Sequence, residues 1–175
     1  MEIKINRSTK RKRTVSARLI NGVLLVNAPV GISNQELDKI ISKLKERLLN
    51  RKLKSELNKD QELQDIAEKL NREYFGGRLQ IEFIEYSTNQ HSRFGSCNIK
   101  TGRILISHRL ATMPEWVRDY VIVHELAHLV VPNHSQLFQE LTAKYKLKER
   151  AIGFLMAKGY DEKDLDIDEN LENNW

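Results

Sequence analysis

Two histidines four residues apart, His124 and His128, bracket a glutamate in the stretch His124-Glu-Leu-Ala-His128-Leu-Val-Val-Pro-Asn-His134. On a helix that spacing sets the imidazoles nearly one above the other, about 6 Å apart along the axis, so both can reach a single ion. Glu125 is not needed as a ligand. It belongs beside the water at an open coordination position, where it takes a proton and later returns it to a leaving group. Pro132 lacks an N–H and biases Val131 away from helical geometry, so the helix should stop there and the chain turn back. His134, six residues beyond His128, is then the preferred third nitrogen ligand. Three neutral imidazoles leave the fourth position of a tetrahedral Zn2+ site open to water.

The flanks strengthen this reading. Val121-Ile-Val123 runs directly into the motif, which predicts a buried helix rather than a solvated one with two idle histidines. The competing explanation is a hydrogen-bonded histidine pair with Glu125 as a core ion-pair partner. Burying two imidazoles and a carboxylate together without a metal is expensive.

A chain of 175 residues encloses one core with an appendage. It contains no apolar run near the roughly 18 to 20 residues of a membrane span, and Met1 to Arg13 lacks the apolar centre of a secretory signal. A cytoplasmic protein with no membrane partner is expected. The single cysteine, Cys97, excludes an internal disulfide and a cysteine-based zinc ribbon. Charge is uneven: the segment before Asp60 is strongly basic, whereas Asp161 to Glu172 holds seven acids against Lys163 alone. That asymmetry can mark a basic arm that meets nucleic acid. The plainer expectation is that Lys10-Arg-Lys-Arg13 forms an exposed hairpin turn.

Along the chain, Ile3 to Ile5 and Thr14 to Ile20 alternate apolar and polar residues, and Asn21-Gly22 is a two-residue turn signal before Val23 to Val26. Ser33-Asn-Gln-Glu36 has the form of a capping box opening a long helix with apolar Leu37, Ile40, Ile41, Leu44, Leu48 and Leu49. Asp60 is a candidate N-cap for a second helix, with the stripe Leu63, Ile66, Ala67, Leu70, Tyr74 and a stop at Gly76-Gly77. Strands are expected over Leu79 to Ile84 and Arg103 to Ser107. Thr112-Met-Pro-Glu115 should cap the motif helix, Asn133 the next one, and a last amphipathic helix covers Glu149 to Lys158. The resulting organisation is a β-hairpin and helix over 1–59, a metallohydrolase core over 60–160 and a mobile acidic tail over 161–175.

With these pieces in place, the sequence resembles the YgjP-like metal-dependent hydrolases, zincins related to the SprT and WLM metalloproteases. The resemblance rests on the basic N-terminal hairpin, Arg93-Phe-Gly-Ser-Cys97, Arg103-Ile-Leu-Ile-Ser107, Met113-Pro-Glu115, Val121 through Leu129, Asn133-His-Ser135 and Phe138. It implies an α+β fold: a zincin-like core with a small antiparallel sheet and the HExxH helix, preceded by the N-terminal hairpin and long helix. It also implies zinc on His124, His128 and His134, with Glu125 as catalytic base, in agreement with the spacing. Where that family usually has Trp this chain has Phe94, and where it usually has Asn-Trp it has Ser107-His108.

The expected function is a zinc-dependent peptidase acting on a peptide or protein substrate. His91, Arg93, His108 and Tyr120 are candidates for substrate or oxyanion contacts, and Arg103 to Ser107 is a candidate edge for pairing with extended substrate. Two alternatives stand beside it. One is a hydrolase of a nucleotide or other phosphoanhydride, against which the chain shows neither a glycine-rich phosphate loop nor a carboxylate cluster for magnesium. The other is a nucleic-acid-associated protease engaged through the basic N-terminal half.

Overall fold

The computed structural model describes residues 2–159, so the acidic tail expected over 161–175 lies outside the described residues. The chain is α+β and divides into two compact units, Met1–Ser55 and Glu56–Trp175.

The first unit is a three-stranded sheet with one helix. Its strands are β1 (Glu2–Ser8), β2 (Ser16–Ile20) and β3 (Val23–Pro29), and helix α1 spans Asn34–Leu57. Asn21 and Gly22 both have positive φ, 47° and 80°, the geometry of the tight turn that joins β2 to β3 with Ile20 opposite Val23. The sheet is mixed rather than antiparallel. β3 sits in the middle, antiparallel to β2 and parallel to β1. Lys10 to Arg13 is therefore not a hairpin turn; it lies in the connection between the two edge strands. The reason is in the pattern: Leu24, Val26 and Ala28 alternate onto one face and are buried with Leu37 and Ile41 of α1, whereas β1 is exposed almost throughout. The apolar strand takes the centre and the polar ones the edges. Ser33 caps α1, its Oγ accepting from the Glu36 N–H at 3.2 Å. Arg7 clasps the approach to that helix, donating to the carbonyls of Val30 and Ile32 and to Asn34 Oδ1.

The second unit holds the larger core. Helix α2 (Glu62–Phe75) is followed by β4 (Phe83–Ser87), β5 (Gly95–Asn98), β6 (Arg103–Ser107) and a 3-10 turn at His108–Thr112. Helices α3 (Glu115–His128), α4 (Gln136–Ala143) and α5 (Lys148–Ala157) complete it. Gly76 ends α2 with φ 66°, as the sequence predicts. Gln61, not Asp60, is the residue before its first turn. The expected strand from Leu79 starts only at Phe83. Asn71 reaches out of α2 to bond both the N–H and the C=O of Leu79, which occupies the groups a ladder would have used.

This sheet is also mixed, in the order β4-β6-β5, with β6 parallel to β4 and antiparallel to β5. The outer edge of β4 is capped by side chains: Asn58 pairs with both backbone groups of Tyr86, and Gln64 Oε1 accepts from the Ile84 N–H. Arg103 to Ser107 is therefore the central strand and not an edge, because both of its sides are already paired. β5, short and absent from the alternation pattern, is the other edge. Among the described residues no helix is long and apolar enough to cross a membrane.

Candidate metal centre

Helix α3 is buried on every side, with ten of its 14 residues inaccessible, among them His124, Glu125 and His128. Pro114, rather than Thr112, precedes its first turn; the Thr112 hydroxyl instead donates to the Arg109 carbonyl within the 3-10 turn. After His128 the chain winds once more, Val131 N–H donating to Ala127 O at 2.9 Å, before Pro132 blocks continuation. That extra turn brings the Val131 carbonyl to 3.2 Å from His128 Nδ1. A carbonyl only accepts, so Nδ1 carries the proton and Nε2 presents its lone pair. Asn133 does not cap α4. Ser135 holds that position, which puts His134 immediately outside a rigid helix start.

The three imidazoles converge. His124 Nε2 lies 3.2 Å from His128 Nε2 and 3.4 Å from His134 Nε2. One ligand atom from each of the three falls within 4.8 Å of the others. Two nitrogens each about 2.05 Å from a tetrahedral ion stand about 3.3 Å apart, so the short separations fit a common ion. Burial, then the neighbouring His134, pushes His128 down to about 4, opposed by the Val131 and Pro132 carbonyls. A ring that resists protonation is ready for a metal. Phe138 closes the inner side: its ring centroid is 4.8 Å from that of His124 and 4.5 Å from those of His128 and His134.

Glu125 points from the same helix toward β5. It is 1% exposed, and its Oε2 has no hydrogen-bond partner among the described residues. Desolvation pushes it up to about 8, with Arg93 acting in the opposite direction. A Cβ at Gly95 would lie 2.6 Å from Cδ and 2.7 Å from Cγ of Glu125, and closer still to its Oε1. The carboxylate therefore rests against bare strand backbone.

Residues 86–147 match the family model described as YgjP-like, metallopeptidase domain. The match runs through β5, β6, α3 and α4 and so contains the entire centre. By its description, the matched family is one of metallopeptidases. Among solved structures, the chain is similar to the crystal structure of the metallopeptidase zymogen of Pyrococcus abyssi abylysin. Identity is 20%, the match covers 54% of this chain and 92% of that one, and the TM-score is 0.48. Comparison with curated proteins finds no match.

Within residues 86–147 the remaining candidates separate. Arg93 is the one whose charge acts on Glu125. Its backbone carbonyl accepts from Arg109, whose guanidinium also lies 4.5 Å from the Phe94 ring centre, so the loop before β5 is pinned. His108 turns Nδ1 toward the Ser87 carbonyl at 3.3 Å. Tyr120 is 2% exposed and packs edge-on against His124, in the core beneath the site rather than on an open wall. His91 is exposed in the loop after β4. Two residues of the centre lack a sequence-level role, Gly95 and Phe138. The offset of Phe138, four residues after His134, is the signal that could have found it; for Gly95 the signal is only its place in Arg93-Phe-Gly-Ser-Cys97, which does not disclose a contact with a residue thirty positions away.

Proposed function

We propose that the chain is a zinc-dependent peptidase in which His124, His128 and His134 hold the ion and Glu125 is the general base. The observation that carries this is the convergence of the three Nε2 atoms at 3.2 and 3.4 Å beside a buried carboxylate. Zinc bound there would supply Lewis acidity toward water and toward the carbonyl of the scissile bond. Glu125 takes the proton of the attacking water and returns it to the departing amine. Its Oε2 makes no hydrogen bond among the described residues, which supports its availability for that exchange. Phe138 and Tyr120 keep solvent from the inner side of the imidazoles. β5, the edge strand beside Glu125, offers backbone for extended substrate to pair with, in place of β6.

The test is to load the purified chain with zinc and follow cleavage of fluorescently labelled casein, an unstructured protein. Glu125→Gln should keep the ion and lose cleavage, and His128→Ala should lose both. Cleavage by Glu125→Gln at the wild-type rate would remove the water-activating role.

A second reading concerns the first unit. Residues 1–55 carry 14 Lys and Arg against four acids, and Lys39, Lys43, Arg47 and Arg51 recur every four residues on the exposed surface of α1. Such a stripe supports docking on a nucleic-acid backbone. Binding to a random-sequence DNA duplex should then weaken steeply with salt, and the Lys43→Gln/Arg47→Gln variant should lower the slope by about 2. Binding that is flat in salt would remove this reading.

A further inference from the structure

We propose that Gly95 is a positioning residue for hydrolysis: the absence of a side chain on β5 creates the slot that aims the Glu125 carboxylate. The inference rests on the peptidase reading above for its catalytic consequence, and on packing alone for the slot.

Glycine is not required here by the backbone. The glycines with positive φ are Gly22, Gly76, Gly77, Gly102 and Gly159, and Gly95 is not among them. What the position forbids is volume. An added Cβ would overlap three consecutive atoms of Glu125, Cγ, Cδ and Oε1, so more than the tip of the side chain must move. Neither wall can retreat. β5 is held on β6 with Gly95 opposite Ile106 and Cys97 opposite Ile104, and the Phe94 carbonyl accepts from Ser107 N–H at 2.7 Å. On the other side, α3 is packed all round, with Ile122 and Leu126 fully buried. Interiors this dense pass strain to the softest element, here the Glu125 side chain. Cys97, two residues on and on the same side of the strand, extends the slot: burial, then the Glu125 charge, raises its thiol. A methyl at Gly95 therefore turns the base away while leaving the imidazoles in place.

The experiment is a mutant cycle with two readouts. In metal-free protein, Gly95→Ala lowers Tm by roughly 3–8 °C, whereas in the Glu125→Ala background the same change moves Tm by no more than about 1 °C, because the atoms it meets are gone. An equal loss in both backgrounds overturns the slot. In zinc-loaded protein, Gly95→Ala lowers kcat on labelled casein by roughly 100-fold or more, with KM and zinc affinity, measured by chelator competition, within about 3-fold of wild type. A kcat near wild type, or loss of zinc together with activity, overturns the positioning role. If the wild type cleaves nothing, the peptidase reading fails while the Tm cycle still decides the slot.

Discussion

Helices α1 and α3 are built on opposite terms. α1 runs for 24 residues and buries two side chains, Leu37 and Ile41; α3 runs for 14 and buries ten. A helix packed on one narrow stripe tolerates charge everywhere else, and α1 is covered with lysine and arginine. A helix packed all round tolerates none without a partner, yet α3 carries two imidazoles and a carboxylate at its most enclosed positions. The polar groups of α1 are explained by solvent, whereas those of α3 are enclosed together, and the proposed metal and hydrolytic task account for them.

Four experiments press on that contrast. The largest effect is chemical: Glu125→Gln in zinc-loaded protein should cost at least about 4 kcal/mol in transition-state stabilisation, read as a fall of roughly 1,000-fold or more in kcat/KM on casein. Next is packing. Leu126→Ala in α3 should lose about 2–5 kcal/mol in urea unfolding.

The third is the pH dependence of metal-free stability. Glu125 is raised from 4.5 to about 8 and His128 lowered from 6.5 to about 4. Between pH 4.5 and 6.5 the folded chain holds the Glu125 proton and the unfolded chain the His128 proton, so the two slopes cancel. Between 6.5 and 8, of these two groups only Glu125 differs, its folded state binds the extra proton, and this group should lower stability by about 2 kcal/mol as pH rises. Glu125→Gln should abolish that fall, and a rise in its place would reverse the assignment. Smallest of all, Leu49→Ala on the exposed side of α1 should change stability by less than about 0.5 kcal/mol; a loss matching Leu126→Ala would erase the distinction between the helices.

What was legible in the chain follows from the range of the interactions involved. His124, Glu125 and His128 are fixed relative to one another by a single helix, and the stop at Pro132 is a local matter of one missing N–H, so the convergence of His134 could be anticipated. The Asn21-Gly22 turn and the Ser33 cap are local too. Strand order was not. β1 and β6 find their partners through non-local pairing, and alternation alone says nothing about whether a neighbour runs parallel or antiparallel. β5 has four residues, too few for a pattern, and its Gly95 matters only because Glu125 lies against it across the core. Thr112 and Asn133 have cap-forming side chains, but the 3-10 turn claims Thr112 and the helix after the ligand turn begins at Ser135 instead.

The account depends most on the third imidazole, the ligand farthest along the chain from the helix pair. Zinc content per chain after gel filtration, with affinity by chelator competition, tests it directly in wild type and His134→Ala. One zinc per wild-type chain and an affinity loss of roughly 100-fold or more in the variant is the predicted result. Equal affinity in the two proteins, or wild type that emerges metal-free from zinc-replete buffer, would contradict it.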